Sequence, residues 1–312
     1  MKLDGIHHIT AITGDALGNV DFYARVLGLR LVKKSVNQDD PTVYHLFYAD
    51  ENASPGADLT FFEYPGAARG KAGAGMVHRI VWRVASESAL EFWANRLGPG
   101  GTAVERQPGW LRFADPEGLQ FELRVVQTAD APLVAQHPEI PAEMAIQGFH
   151  AVRAFTSDPG RSRRFLEGTL GFERAEHGAF EARGEQRGSF YTYDPSSEPG
   201  LSGAGTVHHV AWATGRDEDH PAWRDRVIRG GGQPTPIIDR FYFRSIYFRE
   251  PSGVLFEIAT HSPGFTADEP LESLGEAISL PPSYERLRPQ LEAALTPLPN
   301  PRKDWVKAPG AS

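Results

Sequence analysis

The stretch Thr206-Val-His-His-Val-Ala-Trp212 decides the fold, because the chain holds a near copy of it, Met76-Val-His-Arg-Ile-Val-Trp82. Valine, histidine and tryptophan recur in register. The second histidine does not recur, since His209 stands where the copy has Arg79. A duplicated strand that keeps a ligand-type side chain in one copy only predicts one working site and one that has lost its function.

Longer repeats show that the whole chain is a duplication. Gly5–Thr13 resembles Gly148–Thr156, and Phe113–Glu122 resembles Phe248–Glu257. Four times, a short apolar strand leads into a helical stretch, which is followed by alternating apolar or aromatic runs. This pattern predicts an α+β protein of four βαβββ modules in two duplicated halves, with the first and fourth modules closing one site.

The boundaries of these units follow from where the repeats stop. A segment rich in proline and alanine, Ala129–Met144, has the composition of a linker. We therefore expect the first pair of modules at residues 1–128, the second pair at 146–262, and a C-terminal tail at 263–312 with a short helix near Pro289–Leu295.

Composition excludes several classes of protein. A net charge of −8 over 312 residues argues against a general nucleic-acid binder, which needs a basic surface. The chain has no cysteine, so disulfides and thiolate ligands are excluded. It has neither a signal-peptide pattern nor 18 consecutive apolar residues, so we expect a cytoplasmic protein without a membrane partner. A homo-oligomer is left open.

Two histidines and one carboxylate are candidates for a metal site. Strand alternation places His8 on the opposite face from His7, and His209 on the opposite face from His208. Glu257 comes near the end of a third strand. Two histidines and a carboxylate from separate strands can form a facial triad, which leaves coordination positions open on an Fe(II)-type ion.

The second copy of these three residues is an internal control. In the same order it has Ala151, Arg79 and Glu122, although the surrounding residues are kept. Strand packing alone therefore does not require the two histidines. We expect one metal ion per chain, and Glu122 in a salt bridge.

The four-module pattern, with candidate ligands on the first and last strands of a module, resembles the vicinal oxygen chelate (glyoxalase/bleomycin resistance/dioxygenase) superfamily. Within it, four segments are similar to the ring-cleaving dioxygenases that open hydroquinones. These segments are Gly5–Thr10, Tyr44–Asp50, Val207–His209 and Leu255–His261. The resemblance implies Fe(II), with manganese, nickel and zinc as alternatives. The residues that it implies for the metal are His8, His209 and Glu257.

The same resemblance implies an Fe(II)-dependent cleavage of a hydroquinone or related dihydroxyarene by O₂. It also implies functional groups beside the metal, at Thr10, His208, Arg240 and Tyr247. A base must take a phenolic proton and an acid must protonate the opened product, roles that suit His208 and Tyr247. Arg240 would supply a fixed positive charge beside the developing oxyanion.

Two alternatives stay open at the level of the sequence. Glu63 ends the run Leu59–Tyr64 at the place that Glu257 holds in the fourth module. If Glu63 is a fourth ligand, the site resembles that of a glyoxalase-like isomerase or lyase that uses nickel or zinc. The other alternative is a metal-free resistance protein that binds aromatic drugs.

Overall fold

The computed structural model describes residues 1–303 and 305, so the predicted tail extends outside the described residues at 304 and 306–312. Each of the four modules contributes four strands. In chain order the strands are β1 (Leu3–Thr13), β2 (Arg30–Asn37), β3 (Asp40–Ala49), β4 (Asp58–Glu63), β5 (Met76–Val84), β6 (Glu105–Gln107), β7 (Trp110–Ala114), β8 (Gln120–Val125), β9 (Phe149–Thr156), β10 (Glu173–Arg174), β11 (Phe180–Arg183), β12 (Gly188–Pro195), β13 (Val207–Thr214), β14 (Ile238–Asp239), β15 (Arg244–Arg249) and β16 (Leu255–Ala259).

One helical segment follows the first strand of every module. These segments are α1 (Ala16–Val20) with the π-helical turn Asp21–Val26, α2 (Glu87–Leu97), the π-helical Phe165–Leu170, and α3 (His220–Arg229). The predicted tail helix is present as α4 (Arg288–Ala294). Short 3-10 turns lie at Gly98–Gly100, Glu176–Gly178, Asp217–Asp219, Phe265–Ala267, Leu271–Ser273 and Glu285–Leu287.

The strands form two eight-stranded sheets that combine modules from both halves of the chain. The first sheet has the order β14-β15-β16-β13-β1-β4-β3-β2, and the second has the order β10-β11-β12-β9-β5-β8-β7-β6. The first and fourth modules therefore share one sheet, and the second and third share the other. The predicted α+β architecture of four duplicated modules is confirmed, whereas the boundaries of the halves in sequence stay a proposal.

The residues that recur between the two copies are framework. Trp82 and Trp212 are both fully buried, and so are the valines that open their strands, Val77 and Val207. The Trp82 ring stacks on Phe149 with 4.2 Å between the ring centroids. Burial of large aromatic and β-branched side chains stabilises both sheets in the same way. The recurring residues therefore account for the common packing of the two copies.

The pairing of β1 with β13 has three register shifts, of which one lies between Leu3 and Ile6 and the other two lie at histidines. The antiparallel ladder carries one extra residue on each strand, His7 on β1 and His208 on β13. Such a bulge re-aims the side chain and bends the strand. The prediction that His208 points away from the face of His209 was wrong, because both residues line the same pocket. The His7 ring likewise contacts the His8 ring, with 5.1 Å between their centroids.

The C-terminal tail packs on the first module through buried charges. The Lys33 ammonium is fully buried and pairs with Asp268, at 2.7 Å, and with Glu269. The ammonium also lies over the aromatic ring of Tyr242, whose centroid is 4.9 Å from the Lys33 nitrogen. A buried cation needs such partners, since an unpaired one carries a large desolvation penalty. In the described part of the chain, no helix is both long enough and apolar enough to cross a membrane.

Candidate metal centre

Three side chains converge on one point between β1, β13 and β16. The Nε2 atoms of His8 and His209 lie 3.3 Å apart. Oε2 of Glu257 lies 3.2 Å from the first and 2.9 Å from the second. All three residues are buried. Within residues 1–303 and 305, they are the one group of histidine and carboxylate side chains whose ligand atoms come close enough to hold a metal ion.

The hydrogen bonding of Glu257 leaves one oxygen free for a cation. Oε1 accepts a hydrogen bond from the hydroxyl of Ser245, whereas Oε2 is buried without a hydrogen-bond partner. A buried carboxylate oxygen without a partner is costly unless a cation or a protonated group faces it. Although burial alone would raise it, His8 and His209 hold the pKa of Glu257 well below its usual value. The donor set thus fits a divalent transition metal.

Each candidate histidine ligand is held by the histidine before it in sequence. Nδ1 of His8 lies 2.9 Å from Nδ1 of His7, and Nδ1 of His209 lies 2.8 Å from Nδ1 of His208. A ligand histidine that presents a lone pair on Nε2 carries its proton on Nδ1, so it donates this proton to the neighbouring ring. The two bulges therefore fix the tautomer and orientation of both candidate ligands.

The position equivalent to Glu257 in the first module is occupied by Thr60. Glu257 pairs with Ala211, two residues beyond His209, and Thr60 pairs with Thr10, two residues beyond His8. The interpretation that Glu63 holds this place was wrong by three residues. The side of the cluster where a fourth protein ligand would stand is thus lined by hydroxyl groups, since the Thr10 and Thr60 Oγ1 atoms lie 2.8 Å apart.

Glu63 serves a different purpose from the one that the sequence left open. Its carboxylate faces the backbone N–H groups of Ala16, in the first turn of α1, and Tyr44. Burial raises the pKa of Glu63 even though these two donors oppose the shift. Glu63 is not a member of the three-residue cluster. It anchors α1 to the sheet rather than completing a four-ligand site.

A cavity of about 470 Å³ opens onto the cluster. The first and fourth modules both contribute to its walls. Six of the seven site residues predicted from the sequence line this cavity. The seventh, Glu257, lies buried behind His8 and His209. The lining residues from the first module are His8, Thr10, Ser35, Val36, Asn37, Gln38, Asp39, His45, Phe47, Phe62 and Tyr64; those from the fourth are His208, His209, Thr235, Ile238, Arg240, Tyr242, Phe243, Tyr247 and Leu255.

Arg240 and Tyr247 form a pair on one wall of this cavity. Nε of Arg240 donates to the Tyr247 hydroxyl at 3.2 Å, and its two terminal nitrogens contact the Asp39 carboxylate at 3.1 and 3.0 Å. Burial disfavours the charge of Arg240, but Tyr247 and Asp39 outweigh it and raise the pKa of Arg240. Burial and the charge of Glu257 raise the pKa of Tyr247 although Arg240 opposes them. Tyr247 is therefore a protonated phenol at neutral pH, and Arg240 a fixed cation.

His208 lies at the mouth of the cavity, where its side chain is exposed. Desolvation and the adjacent His209 lower the pKa of His208 to about 4. Its imidazole is accordingly neutral at pH 7, and its Nδ1 accepts the hydrogen bond from Nδ1 of His209. Thr10, in contrast, is fully buried, and its hydroxyl is directed to Thr60.

The equivalent place in the second sheet carries no such cluster. Glu122 is fully buried between two arginines, with Nε of Arg112 at 2.8 Å and with Arg124 on its other oxygen. Arg79 and Ala151 lie on the strands β5 and β9 beside it. The prediction that Glu122 forms salt bridges is confirmed.

Reasoning from the sequence missed four residues of this site: His7, His45, Thr60 and Ser245. For His7 a signal was present, because the histidine pair at 7–8 matches the pair at 208–209. Thr60 and Ser245 carry no such signal, since hydroxyl side chains are common in strands and only the pairing of the strands brings these two to the cluster.

Comparison with known proteins agrees with this architecture. The family model of the Glyoxalase/Bleomycin resistance protein/Dioxygenase superfamily matches residues 5–123 and 148–258. The protein MhqO of Bacillus subtilis, named as a proposed ring-cleaving dioxygenase, is 40% identical over 95% of this chain and 97% of its own length. The chlorohydroquinone/hydroquinone 1,2-dioxygenase of Sphingobium indicum is 32% identical over 93% of this chain and 95% of its own.

A solved structure extends the comparison to the coordinates. The crystal structure of a proposed dioxygenase from Bacillus subtilis superimposes with a TM-score of 0.89 at 39% identity, covering 96% of this chain and 98% of that one. The family model covers well over half of the sequence, in one match for each duplicated half. The chain therefore belongs to the Glyoxalase/Bleomycin resistance protein/Dioxygenase superfamily.

Proposed function

We propose that this protein is an Fe(II)-dependent dioxygenase that cleaves the ring of a hydroquinone or a related dihydroxyarene. The observation that carries the proposal is the cluster of His8, His209 and Glu257, which no fourth ligand-type side chain joins among the described residues. A facial triad of this composition is typical of non-haem Fe(II) oxygenases, which need open positions for substrate and O₂. The names of the relatives, which include a hydroquinone 1,2-dioxygenase, support the same activity.

In this proposal His8, His209 and Glu257 hold the iron. Bound there, Fe(II) would supply the electronic coupling between an ionised aromatic substrate and O₂. Ser245 and the histidines His7 and His208 hold the ligands in place by hydrogen bonds. Such outer partners keep a ligand set rigid and thereby raise the affinity for the metal.

The cavity wall supplies the groups that move protons. We assign to His208 the role of the base that takes a phenolic proton, because its imidazole is neutral at pH 7 and borders the cavity. The proton would enter at Nδ1, in place of the hydrogen bond from His209. We assign to Tyr247 the role of the acid that protonates the opened product at an oxygen or carbon, because its phenol keeps its proton. Arg240 stabilises the developing oxyanion and holds the Tyr247 hydroxyl, and Thr10 hydrogen-bonds beside the open positions.

The two alternatives have less support. A four-ligand isomerase of the glyoxalase type would need a carboxylate where Thr60 stands, and Glu63 faces backbone N–H groups elsewhere. A metal-free drug-binding protein would not need the ligand atoms of two histidines and a carboxylate to converge on one buried point. Manganese, nickel and zinc fit the same donor set and are separated from iron only by experiment.

The test compares three substrates on protein purified without O₂ and loaded with Fe(II). We expect O₂ consumption with hydroquinone and less with catechol, and we expect activity to fall as Fe(II) oxidises. Turnover of a thiol hemithioacetal without O₂, best with nickel or zinc, would contradict the proposal in favour of an isomerase. Saturable binding of aromatic compounds with no metal and no turnover would favour a binding protein instead.

A further inference from the structure

His45 is a polar residue of the cavity wall that none of the proposed roles uses. It lies on β3 and faces the cavity beside Phe47 and Phe62. Its side chain is half-buried, with a ring centroid 3.9 Å from that of Phe47 and 4.4 Å from that of Phe62. Because two aromatic rings pack against the imidazole, its polar edge is the part that can hydrogen-bond to a ligand in the cavity.

One edge nitrogen of His45 is fixed by the protein, and the other is free. Nε2 lies 2.9 Å from Oγ1 of Thr60, which in turn lies 2.8 Å from Oγ1 of Thr10. Nδ1 has no hydrogen-bond partner among the residues that the structure describes, and the side chain borders the cavity. A polar atom in an aromatic wall is the kind of group that orients a ligand in an otherwise apolar pocket.

The location of His45 relates it to the open side of the cluster. Thr60 stands where a fourth protein ligand would be, and His45 is bound directly to it. The aromatic ring of a substrate that enters this open side therefore passes Phe62 and the edge of the His45 imidazole. Burial lowers the pKa of His45 well below its usual value, so its ring is neutral and suits an uncharged hydroxyl.

We propose that His45 is a specificity-determining residue that hydrogen-bonds, through Nδ1, to the ring hydroxyl that is not bound at the metal. This inference rests on the proposed function, since it concerns the second hydroxyl of that substrate. The hydrogen-bonded hydroxyls of Thr60 and Thr10 hold the ring of His45 in the orientation that the contact needs. His45 thereby sets a preference for dihydroxyarenes over simple phenols, because a phenol without the second hydroxyl leaves Nδ1 without a partner.

The test measures binding rather than turnover, so that it is separate from the test of the dioxygenase activity. Dissociation constants of hydroquinone and 4-methylphenol are determined by calorimetry without O₂ on the Fe(II)-loaded protein. The two compounds have similar size and share one hydroxyl. We expect the wild-type protein to bind hydroquinone about five- to tenfold more tightly, as for one neutral hydrogen bond. Equal affinities would overturn the proposal even if the enzyme cleaves hydroquinone.

Variants separate a direct contact from a general effect on the pocket. His45→Phe is expected to bind both compounds equally, while His45→Gln keeps part of the preference because its amide can still form one hydrogen bond. Thr60→Val removes the hydrogen-bond partner of His45 Nε2, so we expect a preference for hydroquinone between those of the wild-type protein and His45→Phe. His177→Phe is the matched control, because His177 is 94% exposed in the turn Glu176–Gly178 that connects β10 and β11. An unchanged preference in His45→Phe, or an equal loss in His177→Phe, contradicts the role of His45.

Discussion

Thr60 and Glu257 occupy equivalent positions in the first and fourth modules, each on a last strand that runs parallel to the first strand of its module. Glu257 directs a carboxylate oxygen to the two histidines, whereas Thr60 directs a hydroxyl group to Thr10. The duplicated sheet is thus symmetric in its backbone and asymmetric in its ligands. In the proposed function, this asymmetry leaves positions for substrate and O₂ at a metal ion held by His8, His209 and Glu257.

Replacement of Thr60 by glutamate should place a carboxylate at the open side. We expect Thr60→Glu to retain metal longer against a chelator and to lose O₂-dependent turnover, because the added ligand occupies a position that the reaction needs. Metal release and O₂ uptake are measured side by side. Thr60→Val, which has nearly the same size, should keep its turnover within a few-fold. Unchanged turnover in Thr60→Glu, with the fold intact, contradicts this account of the open side.

Glu63→Gln is the companion experiment on the residue that the sequence left open. The amide oxygen can still face the backbone N–H groups of Ala16 and Tyr44. We therefore expect an unchanged metal content and an unchanged rate, as measured by elemental analysis and O₂ uptake. A loss of metal in Glu63→Gln would instead restore the hypothesis of a fourth ligand.

Removal of a ligand should abolish metal binding without unfolding the chain. In His8→Ala and His209→Ala we expect the affinity for metal to fall by more than the roughly 10–100-fold that loss of an outer partner typically costs. Elemental analysis and circular dichroism give the two measurements. Arg79→Ala changes the equivalent position of the second sheet and should leave one metal per chain. If His209→Ala keeps its metal, the proposed ligand set is incorrect.

Tyr247→Phe tests the proposed acid. The phenyl ring keeps its packing against His209, whose ring centroid lies 5.6 Å from that of Tyr247. We expect kcat to fall by about 10²–10⁴-fold, the usual contribution of a general acid or base, with iron content and folding intact. Tyr191→Phe, in the second sheet, serves as the control. A wild-type rate in Tyr247→Phe, with iron bound, would reduce the residue to an aromatic side chain of the strand.

Asp130→Asn tests how the segment between the halves is held. The Asp130 carboxylate accepts hydrogen bonds from Nη1 of Arg83 at 2.7 Å and Nη1 of Arg183 at 2.9 Å. Burial opposes its charge, but Arg183 and Arg83 hold the pKa of Asp130 far below its usual value. A carboxyl group whose pKa is lowered by folding stabilises the folded state at pH values above its pKa in the unfolded chain, about 4. This stabilisation is lost as the pH falls from there towards the pKa of the folded state.

We therefore expect Asp130→Asn to lower the free energy of unfolding at pH 7 by about 1–3 kcal/mol, as for the loss of hydrogen bonds to a charged group. The melting temperature should fall accordingly. The difference from the wild-type protein should shrink below about pH 4. Thermal unfolding is recorded at pH 7 and pH 3, with the exposed Asp225→Asn as the control. An equal difference at both pH values would show that the charge of Asp130 is not what stabilises the chain.

The sequence alone was sufficient for the architecture and for the three residues that converge in the cluster. Repeats revealed the four modules, and the loss of two ligands in the second copy singled out His8 and His209. The bulges at His7 and His208 could not be predicted, because an extra residue is a property of two paired strands far apart in the chain. For the same reason the position equivalent to Glu257 was assigned to Glu63 instead of Thr60, since the register of a strand is set by its pairing with another strand. A homo-oligomer and a cytoplasmic location stay predictions.

Isotopically labelled O₂ tests the central claim most directly. Protein purified without O₂ and loaded with Fe(II) is given hydroquinone and labelled O₂, and the product is examined by mass spectrometry. A ring-cleaving dioxygenase with one iron per chain at His8, His209 and Glu257 predicts that both labelled atoms appear in a ring-opened product, and that His209→Ala forms none. An unlabelled product, or a labelled product formed equally by His209→Ala, would contradict the account.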